Sequence, residues 1–504
     1  MVAIRWEFRP QSTPPWERTE LVKITVNGRV VDADPKLPLI RACHDNDVDV
    51  PMYCYHPGLS AVGSCRICQV EVKQGDTPGR VMVACRTTPV EGMIVDTESS
   101  KAHETRRECL EFLLKNHPLD CPICDKAGEC DLQDYAYDEG QSTGRSNEPR
   151  RPLEKRKSLG EVIVLDEERC ILCSRCVRFF EEVPKKAQLT IRDLGSRSMV
   201  STFMDRPLTG NYQGNIADLC PVGALTLKNF RFQARVWNLV KMASTCVECS
   251  RGCSIQVETL RNSDVKRFRP RANLKVNGHW MCDVGRFAVE HANADGRLEG
   301  ARVLEGVQML QTPIEDGLCV VRDALMASKG ALFVLSPFCT VEEGRALQEL
   351  AKRHQADIAF VSPAPNALKD DLLHTGDPCP NRRGLTDLGI VGDSPANLLK
   401  RLAASKVAVI AGERVVELLG TSGVKDLPST LALFAFECHP VESKSLRAEI
   451  GIANHVERIG TIVNVNGERG PLAAAKPAPR SVRALTRHLE DLARLSPKKE
   501  TATR

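Results

Sequence analysis

Fifteen cysteines and one histidine fall along this chain in four sets of four, and any fold it adopts has to bring each set together. All but four of the 21 cysteines lie at or before Cys282. In a reducing compartment such density points to bound metal rather than to disulfides.

The first set is Cys54, Cys65, Cys68 and Cys85, spaced Cys-x10-Cys-x2-Cys-x16-Cys. Thiolates are soft ligands that suit iron-sulfur clusters or zinc, and a Cys-x2-Cys pair lets two sulfurs of one loop reach the same centre. Zinc ribbons carry two such pairs. A long first gap, one pair and a distant fourth cysteine in a β-rich segment follow the ferredoxin arrangement instead. The set reads as a [2Fe-2S] site, with zinc as the alternative, and Gly63 permits the tight turn around it.

The second set is His117, Cys121, Cys124 and Cys130. A histidine alone at a helix end is a capping or surface residue. Beside three cysteines it reads as a ligand, and a neutral imidazole in place of a thiolate lowers the negative charge of the site and tends to raise its potential. Zinc held by one histidine and three cysteines is the alternative.

In the third set Cys170, Cys173 and Cys176 stand in RCILCSRCVRFF, with Cys220 in CPVGAL. Cys-x2-Cys-x2-Cys with a remote Cys-Pro is the bacterial [4Fe-4S] ferredoxin pattern, the proline keeping the distant ligand out of a helix. The fourth set, Cys246, Cys249 and Cys253 in TCVECSRGC with Cys282 in HWMCDVGRF, is again three plus one. It reads as [4Fe-4S], although Cys-x2-Cys-x3-Cys also occurs in zinc loops. Cys43, Cys109, Cys319, Cys339, Cys379 and Cys438 stand apart and read as small buried hydrophobes rather than ligands.

Other function classes fall away on composition. A net charge of +4 spread over 504 residues offers no nucleic-acid groove. No apolar run approaches the roughly 18 residues of a membrane span, so membrane contact has to pass through partners. The opening MVAIRWEFRPQSTPPWERTE has no apolar core of a secretory signal, which places the chain in the cytoplasm. No Gly-rich dinucleotide fingerprint follows a strand, so the chain shows no dinucleotide-binding motif of its own.

The chain reads as an α+β multidomain protein. Residues 1–20 form an N-terminal extension. Residues 21–99 form a small ferredoxin-like domain of short strands (VKITVNGRVV, QVEVKQG, RVMVACR, GMIVDT) around one helix, LIRACHDND, with Asn27-Gly28 as a hairpin turn. Residues 100–139 are helical, RRECLEFLLKNH stopping near His117-Pro118, where a residue before proline disfavours the helix. A polar, basic linker or surface strap spans 140–160. The third set occupies 161–240 and the fourth 241–290. From 291 to 504 apolar strands (ALFVLS, DIAFVS, KVAVIAG, LALFAF) alternate with helices as in a parallel α/β domain, Thr340 and Glu343 forming a capping box, with a last helix and a frayed end after Pro477.

The strings PMYCYHPGLSAVGSCRICQVEV, NHPLDCPICDKAGECDLQD, DEERCILCSRCVRFFEEV, GNIADLCPVGALT and WMCDVGRF resemble the large iron-sulfur subunit of respiratory complex I, the NADH:quinone oxidoreductase, over residues 21–290. The resemblance implies one [2Fe-2S] cluster, a histidine-ligated [4Fe-4S] cluster and two all-cysteine [4Fe-4S] clusters in the order of the four sets. It further implies an electron relay with no catalytic residue of its own. NADH and FMN would bind a partner flavoprotein, and electrons would leave through the first three clusters toward quinone-side subunits of the peripheral arm, at the cytoplasmic face of a bacterial inner membrane. PNRRGLTDLGI and ERIGTIVNVNGERG resemble fragments of a molybdopterin-oxidoreductase fold. About 220 residues follow Cys282, so that domain is expected to be shortened and to hold no molybdenum. Relay subunits of soluble NAD-linked hydrogenases or formate dehydrogenases share the first three sets, and a zinc-stabilised scaffold is the alternative without electron transfer.

Overall fold

A computed structural model describes residues 20–328 and 330–495; the rest of the N-terminal extension and the chain end beyond Leu495 lie outside the described residues. The chain forms two compact units, Met1–Asn238 and Leu239–Arg504.

In the first unit Val22–Val26 and Arg29–Ala33 make a hairpin. Asn27 and Gly28, with φ of 49° and 78°, give it the turn whose twist matches paired strands. Ile94–Asp96 pairs in parallel with Val22–Val26, then Gln69–Lys73 and Arg80–Val83 follow, completing a five-stranded sheet. Helix Leu39–Asp45 lays Leu39 and Ile40 against Ile24, Val26, Val70 and Val95, and Cys68 and Cys85 belong to the same core. The first ligand loop is therefore anchored in packed side chains rather than hung from a surface.

Helix Ser100–Leu114 starts at Ser99, whose hydroxyl accepts from the Ala102 N–H. It ends short of His117, because Pro118 has no N–H to give the Leu114 carbonyl. Arg106 fixes this helix to the sheet. Only 1% exposed, it donates to the carbonyls of Gln69 (3.0 Å) and Thr97 (2.8 Å) and to the Glu139 carboxylate (2.7 Å). Residues 141–150 form an exposed strap, and Lys157–Ser158, Ile163–Leu165 and Leu225–Leu227 make a small antiparallel sheet beside the third ligand set.

The second unit opens with an antiparallel sheet of Leu239–Thr245, Ser254–Leu260 and Asp264–Pro270, which alternation alone had not disclosed. An eight-stranded sheet follows, in the order Gln308–Thr312, Ala301–Glu305, Leu446–Gly451, Ala432–Glu437, Val407–Ala411, Leu332–Leu335, Asp357–Val361, Val391–Asp393. The four apolar runs read from the sequence are parallel neighbours here. Beyond these parallel strands, one edge of the sheet is antiparallel. Gly306, at φ 63°, turns Ala301–Glu305 back on Gln308–Thr312, and this hairpin joins Leu446–Gly451 antiparallel. Every residue of Val407–Ala411 is buried, as befits a central strand covered on both faces. Thr340 and Glu343 form the expected reciprocal cap of helix Val341–Arg353, and Leu485–Leu495 is the last helix.

Replacing Arg106 by methionine leaves Glu139 and two carbonyls without their shared donor. Removing one member of a buried pair costs about 3–5 kcal/mol. Thermal unfolding of the variant is expected to show a lowered first transition; an unchanged one would mean that the sheet holds this helix without the guanidinium.

Candidate metal centres

Each ligand set converges. In the first, Cys54 follows the helix Leu39–Asp45 and its loop, Cys65 and Cys68 precede the strand Gln69–Lys73, and Cys85 sits in the turn after Arg80–Val83. Gly63, at φ 68°, lies so close to Arg86 that a Cβ would stand 2.9 Å from its side chain. The thiols form a hydrogen-bonded chain from Cys65 to Cys54 to Cys85 to Cys68. Those shared bonds draw Cys54 and Cys68 below the ordinary thiol range and, together with burial, push Cys65 and Cys85 above it. The Cys54 N–H also points at the Cys65 sulfur, 3.4 Å away.

His117, Cys121, Cys124 and Cys130 line one cavity, with Arg169 and Gly223 in its wall. Burial lowers the His117 imidazole to about 4, so it is neutral at physiological pH, and its buried Nδ1 has no hydrogen-bond partner. A neutral ring with an unsatisfied nitrogen beside three thiols suits a metal ligand. Burial raises Cys124 and pushes Cys130 up to about 12. Cys121 is exposed. Gly223 admits no side chain, since a Cβ there would stand 2.2 Å from the Cys124 sulfur.

Cys170, Cys173, Cys176 and Cys220 line a second cavity, closed by Leu165, Val200, Val222 and Leu225. Leu172 and Ser174 adopt φ of 54° and 59°, bending the Cys-x2-Cys-x2-Cys segment around this space before helix Arg175–Glu182 begins. Cys220 ends helix Asn215–Leu219, with Pro221 next. Burial raises Cys170 to about 12, and Cys173 to about 11 against the pull of Arg175 and Arg178.

The fourth set lies in the second unit and all four thiols are buried. The Cys246 N–H donates to the Cys253 carbonyl (2.8 Å), and Cys282 caps helix Asp283–Phe287, its sulfur accepting from Gly285 at 3.4 Å. A Cβ on Gly285 would stand 2.8 Å from the Cys246 sulfur. Burial pushes Cys246 and Cys253 well above the ordinary thiol range and Cys282 up to about 12.

Among the described residues no three His, Cys, Asp or Glu side chains close on one point as a single-ion site does. Sets two and three line cavities, the third walled mostly by apolar side chains and the second edged by Asp120, Gln133 and Arg169, and thiols gathered around such a space fit a multinuclear iron-sulfur group. Of the six cysteines outside the sets, Cys43, Cys339, Cys379 and Cys438 are buried, while Cys109 and Cys319 are partly exposed. Sequence reasoning overlooked Gly223 and Gly285, which shape the cavities, and the buried Arg169, Arg175 and Arg178. The arginines had a visible signal: positive residues inside otherwise apolar ligand strings.

The crevice at the switch point of the eight-stranded sheet, between Leu332–Leu335 and Val407–Ala411, is where such folds bind ligands. Here it is built of the chain's own ion pairs: Arg458, buried, lies between Glu343 (3.6 Å) and Glu413 (3.4 Å), and His455 pairs with Glu413 at 2.7 Å.

These folds and sites define an iron-sulfur protein with a two-iron domain followed by four-iron domains. Family models match residues 19–100 as a 2Fe-2S iron-sulfur cluster binding domain and 106–145 as an NADH-ubiquinone oxidoreductase-G iron-sulfur binding region. Residues 160–226 match an NADH-quinone oxidoreductase subunit 3 ferredoxin-like domain, and 240–294 a molybdopterin oxidoreductase Fe4S4 domain. The chain belongs to the family of the large iron-sulfur subunit of NADH-quinone oxidoreductase, named subunit 3 in Thermus thermophilus. It is 35% identical over 365 residues to that Thermus thermophilus protein, covering 66% of this chain and 46% of the relative. It is 34% identical over 371 residues to the corresponding NADH-quinone oxidoreductase subunit of Streptomyces coelicolor, covering 70% and 42%. With the mitochondrial NADH-ubiquinone oxidoreductase 78 kDa subunit of Neurospora crassa it shares 42% over 277 residues, covering 54% and 36%. The chain thus matches less than half the length of these curated relatives. A solved chain of an NAD+-reducing [NiFe]-hydrogenase is 29% identical over 43% of this chain and 91% of that one, at a TM-score of 0.38, a superposition that does not establish a shared fold.

Gly223→Ala is expected to displace Cys124 and to remove about four irons per chain, leaving the [2Fe-2S] signal intact. Iron analysis with EPR checks this; a full iron complement in the variant would mean that the Cys124 loop yields without losing its metal.

Proposed function

We propose that this chain relays single electrons within the peripheral arm of an NADH-quinone oxidoreductase. On this reading Cys54, Cys65, Cys68 and Cys85 hold one [2Fe-2S] cluster, and three [4Fe-4S] clusters are held by His117 with Cys121, Cys124 and Cys130, by Cys170, Cys173, Cys176 and Cys220, and by Cys246, Cys249, Cys253 and Cys282. Bound there, the clusters would supply one-electron oxidation and reduction; the chain's residues bind them, bury them and set their surroundings. The partners are a flavoprotein that binds NADH and FMN and the quinone-side subunits, through which the chain meets the cytoplasmic face of the membrane. No helix among the described residues is long and apolar enough to cross a membrane.

The observation that carries this reading is the interlocking of the first three sets within one unit. Arg178 joins the backbone of Cys54 to that of Cys173. The third set adjoins the second through its own cysteine-proline turn: the Asp131 N–H donates to the Pro221 carbonyl (3.0 Å), and Gly223 abuts the Cys124 sulfur. Arg169, next to Cys170, reaches Asp120 at 2.9 Å beside the second cavity. A relay needs neighbouring sites, and isolated structural metal sites do not. These contacts favour a spatial order of first, third, second, different from the order along the chain.

The fourth set stands in the other unit. Its loop is fastened to the α/β layer by Ser250, whose N–H donates to the Asp377 carbonyl (3.0 Å), and by Arg251, which donates to the Leu373 carbonyl (3.0 Å). Those ties support a folding role, since a metal site that closes a loop contributes to stability.

The test is NADH-to-quinone turnover per assembled complex, normalised to bound flavin. Cys173→Ala is expected to abolish it, while Cys249→Ala lowers the yield of assembled complex and leaves most of the turnover of what assembles. If Cys173→Ala retained turnover, the relay reading would fail; if assembled Cys249→Ala complex were as inactive as Cys173→Ala, the fourth set would lie on the main path.

A further inference from the structure

Helix Arg175–Glu182, preceded by Ser174, turns one row of residues toward the first ligand loop, because positions three and four apart share a helix face. Arg175 donates through Nη2 to the Tyr55 carbonyl (2.5 Å) and through Nη1 to the Leu219 carbonyl (3.1 Å), one residue before Cys220. Arg178 donates through Nη1 to the Ser60 carbonyl and through Nε to the Ser174 hydroxyl (3.1 Å). Its Nη2 is shared between the carbonyl of Cys54, a first-set residue, and, at 3.5 Å, that of Cys173, a third-set residue. Glu182 closes the row by accepting from the Ser60 N–H at 2.8 Å and from its hydroxyl.

Arg175 and Arg178 are 3% and 6% exposed, and among the described residues neither has a carboxylate partner. Burying a cation is costly unless something negative answers it. Carbonyl oxygens supply hydrogen bonds but no net charge. Glu182, one turn on from Arg178, is engaged by the Ser60 N–H and hydroxyl rather than by either guanidinium, and the further negative charge beside the two arginines is that of the cysteine thiolates of the first and third sets. Four thiolates around an iron-sulfur core leave a net negative charge, and one more on reduction.

We infer that Arg178, seconded by Arg175, is a positioning residue common to the first and third ligand sets: one guanidinium fixes the backbone of a ligand from each and acts as counter-charge to both. The inference rests on the proposed occupancy of those sets by iron-sulfur clusters. A buried positive charge favours the more negative, reduced state, so its loss lowers both potentials. The second set, which the guanidinium does not touch, is the internal reference.

The experiment is a redox titration, followed by EPR, of the assembled complex carrying Arg178→Met, Arg178→Lys or Ser60→Ala. Arg178→Met is expected to weaken the reduction equilibrium of the first and third sites together by about tenfold, or about 59 mV for a one-electron couple, with the second site unmoved. Arg178→Lys keeps the charge and is expected to recover most of that shift. Ser60→Ala removes one hydroxyl from the same row, changes no charge, and is expected to move neither. Intact clusters with unmoved potentials in Arg178→Met, or a shift at one of the two sites only, would overturn the inference and leave the relay reading standing. Should Arg178→Met fail to load iron, loading by Arg178→Lys with near-native potentials supports the counter-charge, and loss of iron in both makes the residue a packing staple and overturns it. Wild-type complex without iron in the first and third sets would instead defeat the relay reading itself.

Discussion

A buried thiol is a poor anion. Desolvation first, and the neighbouring negative groups after it, push Cys130, Cys170 and Cys282 up to about 12, and Cys246 and Cys253 well above the ordinary thiol range. Metal reverses that preference, because a bound cation takes the place of the proton and holds the sulfur as thiolate. Much else in the molecule follows from this constraint. The ligand loops are drawn inward, as Cys68 and Cys85 are into the core of the first sheet. Glycines stand where any side chain would collide with a ligand sulfur, at Gly223 against Cys124 and Gly285 against Cys246.

The same constraint explains why polar residues lie so deep in the first unit. Arg106 binds the helix before His117 to the sheet, and Arg169, 4% exposed, lies against Asp120 and Asp166 at the wall of the second cavity. Arg175 and Arg178 reach from the third set into the first. Beside the ligand loops, outside the apolar core of the first sheet, backbone carbonyls gripped by planar guanidinium forks do part of the work that apolar packing does elsewhere. Tyr53, fully buried, packs its ring 5.4 Å from Tyr135, adding an aromatic contact between the first loop and the helix after Cys130.

How much of this was legible in the sequence differs by scale. The spacing of cysteines within a loop is a local property and so was legible, whereas the return of Cys85, Cys220 and Cys282 from farther along the chain depends on the fold. The hairpin at Asn27-Gly28, the capping box at Thr340 and the central strands of the α/β sheet were readable because each depends on neighbours within a few residues. The antiparallel edge at Ala301–Thr312 was not: its strands mix polar with apolar residues and are partly exposed, so neither alternation nor an apolar run marks them. The end of helix Ser100–Leu114 was misplaced because the missing proline N–H costs the carbonyl a turn earlier. The spatial order of the first three sets was invisible, since it depends on Arg178 and on the turn after Cys220 meeting residues more than ninety positions away.

The central claim is that the four sets hold iron and sulfide rather than single ions. It is tested most directly by anaerobic determination of iron, zinc and acid-labile sulfide on the assembled complex, assigned to this chain by the loss seen when ligands of each set are replaced in turn. The account predicts about fourteen irons in this chain, with sulfide to match, divided as two for the first set and four for each of the others. One zinc per set, with no labile sulfide, would contradict it.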